Sequence, residues 1–280
     1  MPDADGSHAQ PSAYAVFLPQ LGLRPEQVPA LLRAEDFSRR RLAEAEEQLA
    51  ALALADTEHD GAAAVFALGS LGRLEASEQS DLDLAVLYDG ARLDPAEAET
   101  RRRQMIDCLR GGFDIPEKTF DQAIDLRVLT RNIGGRQDSN ESLTYRALLL
   151  TEGACLAGAG RAMKHAVFRA YADATISRGR FLASLGNDLH RYYRTLCMDY
   201  RHKVDELDKS WAIRVLKLRH SRKLWHLANL ALQCWSYDAI GDDGDDADRD
   251  VTLAARIGWP SLLRLAGALD HFGAPELGRE

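Results

Sequence analysis

Cysteine is scarce in this chain of 280 residues, with four in all. Cys108, Cys155, Cys197 and Cys234 lie far apart and form no C-x-x-C pair. Reduced thiols are therefore expected, and the usual zinc spacings are missing. Long apolar runs are absent too. Nothing approaches the ~18 consecutive apolar residues of a membrane span, so no membrane partner is expected. The opening MPDADGSHAQPSAYAV has no basic stretch leading into an apolar one, so no secretory signal is read there and the expected location is cytoplasmic. Positive charge is also in deficit: 35 Lys and Arg stand against 43 Asp and Glu, a net −8. Such a chain has no general attraction for nucleic acid, whose non-specific binding comes from phosphate neutralisation. No internal repeat is visible.

What is present is ordinary in bulk and uneven in detail. Apolar residues make up 46% and charged residues 28%, as in a globular protein. The length admits one large domain or two ordinary ones. Between Asp188 and His226 there are ten basic residues and five acidic ones, a local excess of +5 in an acidic chain. Further on, GDDGDDADRD (241–250) lacks the spacing of a calcium loop and reads as a solvated connection between helices.

Residues 1–25 read as a flexible lead. The spacing of Leu31, Leu32, Leu42, Leu49 and Leu52 predicts a helix over about 26–54. AAAVFALGS predicts a short buried strand ended by Gly69-Ser70, and DLDLAVLYD a second strand. A helix follows, with Asp94 as N-cap, Pro95 at its first position and Gly111-Gly112 at its end. QAIDLRVLT reads as a third strand. Beyond the polar loop RNIGGRQDSN the pattern is helical nearly throughout. The glycine-rich GACLAGAG marks a boundary near residue 155. The expected fold is mixed α+β: a small sheet flanked by helices over 26–155, then an all-α bundle over 156–280.

Side chains alternate along a strand, so Asp81 and Asp83 point the same way while Leu82 and Leu84 point into the core. Two carboxylates about 5 Å apart repel by roughly 3 kcal/mol at an effective dielectric near 20. Exposure relieves that cost, and so does a divalent cation, since Mg²⁺ favours one or two carboxylates plus substrate phosphates. On the third strand, alternation leaves Asp125 and Arg127 opposite Ile124, Leu126 and Val128. Were that strand to lie beside the second, Asp125 would complete a three-carboxylate cluster able to hold two metal ions. The Gly69-Ser70 turn allows close backbone approach to a phosphate, and Ser70 adds a hydroxyl. Arg73 has two readings: a phosphate contact, or an ion pair with Glu75 or Glu78. Arg127 either pairs with Asp125 or meets substrate.

This constellation resembles the DNA polymerase β-type nucleotidyltransferase superfamily: an apolar strand ending in Gly-Ser, a spacer of about ten residues, Asp-x-Asp on the next strand, and a third acid later. GSLGRLEASEQSDLDL is most similar to bacterial members related to the uridylyltransferase and adenylyltransferase of nitrogen regulation, with Gly72, Arg73, Glu75, Ser80, Asp81 and Asp83 matching. IDLRV resembles their third-acid strand. The likeness covers 65–131, about a quarter of the chain. It implies that Gly69 and Ser70, with Gly72 and Arg73 beside them, hold the nucleotide phosphates. It further implies that Asp81, Asp83 and Asp125 bind Mg²⁺ or Mn²⁺, and that Asp125 helps deprotonate an acceptor hydroxyl.

The implied activity is transfer of a nucleoside monophosphate from an NTP, ATP or UTP foremost, to a protein or small-molecule hydroxyl, with pyrophosphate released. Nucleic acid is the less favoured acceptor on charge, and a homodimer is compatible with the sequence. Arg214, Lys217 and Ser221 share a helical face that would lie over the acidic site, bind nucleotide and favour closure of the two halves. Two other readings stay open. One is a nucleotide-binding regulatory module without turnover. The other is a helical HEPN-like ribonuclease built on Arg219 and His226, with the transferase half as its regulator.

Overall fold

In the computed structural model, residues 12–19, 21–52, 61–116, 120–173, 183–207, 210–239 and 253–274 are described. The acidic run 241–250 lies outside them. The first helices are α1 (Ala13–Phe17) and α2 (Pro29–Ala51). Part of the expected flexible lead is thus a helix, with Tyr14 and Leu18 buried and the Ala13 amide donating to Glu35 of α2 at 2.7 Å.

Four strands make one sheet: β1 (Ala63–Leu68), β2 (Asp83–Tyr88), β3 (Ile124–Asp125) and β4 (Ala154–Gly158). Their order is β3-β2-β1-β4, with β1 antiparallel to both β2 and β4 and with β3 parallel to β2. A single helical turn, α3 (Gly69–Gly72), follows β1. Helix α4 (Pro95–Leu109) has the expected cap, the Asp94 side chain accepting from the Ala96 amide at 2.8 Å.

Two expectations fail here. The third strand stops after two residues, and Leu126–Thr130 is a helical turn, α5. The alternation of Ile124, Leu126 and Val128 looked like a strand. However, the Asp125 carboxylate accepts from the Arg127 amide at 2.9 Å and starts a helix. Leu129 is then buried and Val128 exposed. The glycine-rich stretch taken as a boundary is itself β4. Its small residues let an edge strand lie under α2, and only Leu156 supplied a visible apolar signal.

The remaining helices are α6 (Asn140–Glu152), α7 (Gly160–Asp173), α8 (Ala183–Asp205), α9 (Trp211–Lys217), α10 (Lys223–Ala239) and α11 (Ser261–His271). A π-type turn, Leu218–Arg222, joins α9 to α10. Among the described residues no helix is long and apolar enough to cross a membrane.

Strand parity sorts the core into two layers. Val65, Ala67, Leu84 and Val86 face α2 and α4, where Leu49, Met105, Ile106 and Leu109 meet them. Phe66, Leu68, Ala85 and Leu87 face the other way, into Leu149 of α6, Val167 of α7 and Leu189 of α8. That second layer continues without a break to Trp225, Leu232 and Ile257. Sheet and helical half therefore share one core, and the Trp225 indole N–H donates to Thr151 of α6 at 3.0 Å.

A buried arginine fixes the helices on that side. Arg146 donates to Asp138 at 3.0 and 2.7 Å, to Asp188 at 2.6 Å and to the Tyr171 hydroxyl at 2.8 Å. The Tyr171 hydroxyl in turn donates to Asp188 at 2.6 Å. Arg146, Asp138 and Asp188 are all almost fully buried. Removing the cation strands two carboxylates in the interior. Arg146→Ala is expected to lower unfolding free energy by about 3–5 kcal/mol, read as a shift of the urea midpoint.

Candidate functional site

The motif stands at the edge of the sheet where β1 ends and β2 begins. Leu68 pairs with Asp83. The chain turns at Gly69 with φ +66°, and a Cβ there would lie 2.2 Å from Asp83 Oδ2. A side chain at 69 is thus excluded twice, by the left-handed backbone and by the carboxylate beneath it. Ser70, half-buried, starts the turn, and its carbonyl accepts from the Glu75 amide at 2.8 Å. Across the edge, Leu82 is buried and its amide donates to the Asp114 carbonyl at 2.8 Å. That anchor leaves Asp81 exposed and Asp83 half-buried.

Gly72 serves packing instead of ligand approach. A Cβ at 72 would lie 1.9 Å from the Glu152 carbonyl oxygen and 2.8 Å from that of Ala67. The missing side chain brings the end of α6 against the turn, and with it the Glu152 carboxylate. Arg73 is buried and donates to Glu75 at 2.9 Å and to Glu152 at 2.8 Å. Of its two sequence readings, the structure has the ion pair, with Glu152 as an added partner. The other Glu152 oxygen accepts from Arg222 at 3.1 Å, and Ser221 donates to Glu75 at 3.2 Å. Arg222 also reaches the Tyr200 hydroxyl at 3.4 Å. Burial works against the Arg222 charge, but Glu152, Tyr192 and Tyr200 outweigh it and raise its pKa.

These groups set the electrostatics of the pair. Burial pushes the Asp83 carboxyl up to about 6; the charges of Asp81 and Glu152 add to the rise, and Arg222 and Arg73 only partly oppose it. Asp83 is therefore an acid that the fold holds against its own ionisation.

Asp125 does not join the pair. Because β3 runs parallel to β2, Asp125 is level with Tyr88, at the opposite end of β2 from Asp83. Five residue steps of about 3.3 Å separate the two positions, roughly 17 Å. Its carboxylate is already engaged, taking Arg127 Nη2 at 2.6 Å and Nε at 2.9 Å. Burial would raise its pKa, but the hydrogen bonds from Arg127 outweigh that and lower it. The three-acid cluster expected from the sequence is not assembled, and among the described residues no three His, Cys, Asp or Glu come together as a metal site.

The basic segment does come over the motif, through the expected Ser221 but with Arg222 in place of Arg214 and Lys217. Ser221 and Arg222 make the contact. Arg214, half-buried, lies over the Tyr200 ring at 5.6 Å, and Lys217 is exposed. The two groups missed in the sequence are Glu152 and Arg222. Arg222 was one of ten clustered basic residues, and Glu152 is a single acid after three leucines and a threonine, LLLTE. Arg219 and His226 lie in different environments. His226 is buried, stacked on Tyr193 at 4.4 Å and 5.2 Å from His190, while Arg219 is exposed. Compared with protein-family models, curated proteins and solved structures, the chain matches none.

The donor set fits one hard divalent cation. Two carboxylates sit close enough to perturb each other, and the space above Asp83 is one that any Cβ at residue 69 would fill. Such a cation completes its shell with water or phosphate oxygens. The residues present do not fit two ions bridged by three acids.

A raised carboxyl pKa favours folding at low pH, fully below the unfolded value near 4, and the benefit is lost as pH rises through about 6. In chelator, Asp83→Asn is expected to stabilise the protein above pH 6 by up to about 3 kcal/mol and to change little at pH 4. Urea midpoints at both pH values test this; equal differences would mean that Asp83 is not desolvated.

Proposed function

We propose that this protein is a divalent-cation-dependent nucleotidyltransferase that moves a nucleoside monophosphate from an NTP to a hydroxyl of a protein or small molecule. The observation that carries the reading is Asp83 set under a side-chain-free Gly69 turn and pushed up to about 6 by burial, with the charge of Asp81 adding to the rise. The fold keeps two like charges together at a cost, and a cation with phosphate oxygens offsets that cost.

In this reading Asp81 and Asp83 would hold the cation, whose positive charge would supply neutralisation of the phosphate oxygens. Gly69 leaves room for phosphate oxygens and Ser70 offers a hydroxyl. Glu75, Arg73, Glu152 and Arg222 form a framework behind the pair and touch no phosphate. The acceptor oxygen attacks the α-phosphorus, the bond to the bridging oxygen breaks, pyrophosphate leaves and the acceptor proton passes to solvent. ATP or UTP is the proposed donor and the cytoplasm the proposed compartment. The position of Asp125 favours one second reading, a module that binds nucleotide without turnover.

Incubation with each α-labelled NTP, Mg²⁺ or Mn²⁺ and a cell lysate decides between them. Wild type and Asp125→Asn are expected to transfer label, and Asp83→Asn to lose transfer at least about a hundredfold. Loss in Asp125→Asn would place that acid in the reaction. Metal-dependent nucleotide binding by wild type without transfer of any label would establish the binding module.

A further inference from the structure

Helix α10 is built inside out. Its sequence, KLWHLANLALQCWSYDA, contains no Asp, Glu, Lys or Arg between Lys223 and Asp238. A helix apolar on every side is normally covered on every side. Here α11 and α8 cover two sides. The covered face carries Trp225, Ala228 and Leu232, but also the polar Asn229, Gln233 and Ser236, all buried. Arg264 of α11, also buried, donates to Asn229 and, at 3.1 Å, to Ser261. The outward face is the more apolar one. Leu227, Leu230 and Tyr237 are 45%, 38% and 48% exposed, with Cys234 exposed between them.

The outward residues Lys223, Leu227, Leu230, Cys234 and Tyr237 follow one another at steps of four, three, four and three. That spacing makes one continuous stripe along a helix. The stripe ends in a cation at Lys223 and an anion at Asp238, both exposed, although Asp238 also meets His271 at 2.8 Å. We infer that this face is the interface of a two-fold dimer, α10 of one chain lying antiparallel on α10 of a second copy.

The complementarity lies within one helix, which selects a second copy as the occupant. Centring the two-fold between Leu230 and Ala231 sets Lys223 opposite Asp238, Leu224 opposite Tyr237, and Leu227 opposite Cys234. Each pair occurs twice, as an isologous interface requires. A parallel pairing would set Lys223 against Lys223 and Asp238 against Asp238. The helix of 17 residues gives a contact about 25 Å long, sealed at both ends by opposite charges. The inference does not depend on the chemistry of the Asp81–Asp83 site.

Sedimentation velocity over a concentration series tests the dimer. Wild type is expected to show a reversible monomer–dimer equilibrium. Lys223→Glu, exposed and free to fold, sets like charges at both ends and weakens association about tenfold or more. Adding Asp238→Lys to it restores opposite signs and recovers most of that loss. Register is read by cross-linking. With Cys108, Cys155 and Cys197 changed to Ser, Leu227→Cys treated with diamide gives a covalent dimer. The two thiols lose two protons and two electrons to the diamide as the S–S bond forms. The same protein with Cys234→Ser does not cross-link. A wild type that sediments as a monomer throughout overturns the inference, and so does a dimer indifferent to Lys223→Glu and uncross-linked by Leu227→Cys.

Discussion

The Glu152 carboxylate holds the candidate site together. Its two oxygens divide between Arg73, which belongs to the turn after β1, and Arg222, which belongs to the π turn before α10. Three segments far apart in sequence are joined through one buried acid. A charge this deep is tolerable only when paired and hydrogen-bonded on both sides. Gly72 is the steric condition for the arrangement, because any side chain there would push the end of α6 away. The Gly-x-x-Gly-Arg-x-Glu spacing therefore has a structural meaning as well as a chemical one. The first glycine admits Asp83 and the second admits Glu152, while Arg73 and Glu75 tie the turn to what it has admitted.

Against this framework Asp83 stands out as an acid whose charge burial, Asp81 and Glu152 all oppose. Arg73 and Arg222 lie near enough to moderate Asp83, but both are committed to Glu152. The buried cations Arg73 and Arg222 are spent on Glu152, and only their residual field reaches Asp83. That division of labour, more than the motif alone, underlies the functional reading.

Much of this was legible from the residues, in proportion to how local the determining physics is. The parity of Leu82 and Leu84 depends only on an extended chain, and both lie in one buried layer, although β2 itself begins only at Asp83. The Asp94–Pro95 start of α4 depends on one turn of backbone, and it holds as well. Asp125 shows where local rules compete. Alternating Ile124, Leu126 and Val128 favour a strand, while an aspartate two residues before an available amide favours a cap, and the cap wins. That β3 is parallel to β2, which carries Asp125 to the far end, is a matter of chain path and leaves no mark in nine residues of sequence. β4 was hidden for a different reason: small residues signal a linker and an edge strand equally well. Glu152 was the least visible, since its partners lie 79 and 70 positions away.

The unbroken core between the sheet and the later helices limits how this site can open. Phe66 and Trp225 belong to one apolar cluster, so the helical half has no hinge about which it can swing as a block without exposing that interior to water. A clam-like motion of two halves, the image invited by a basic segment facing an acidic edge, is therefore unavailable. α9 is built differently, with no buried residue along its length. Fraying of α9 down to the anchor at Ser221 and Arg222 therefore uncovers no core, so that helix can loosen for the cost of melting two turns while the cluster joining sheet and helices stays closed.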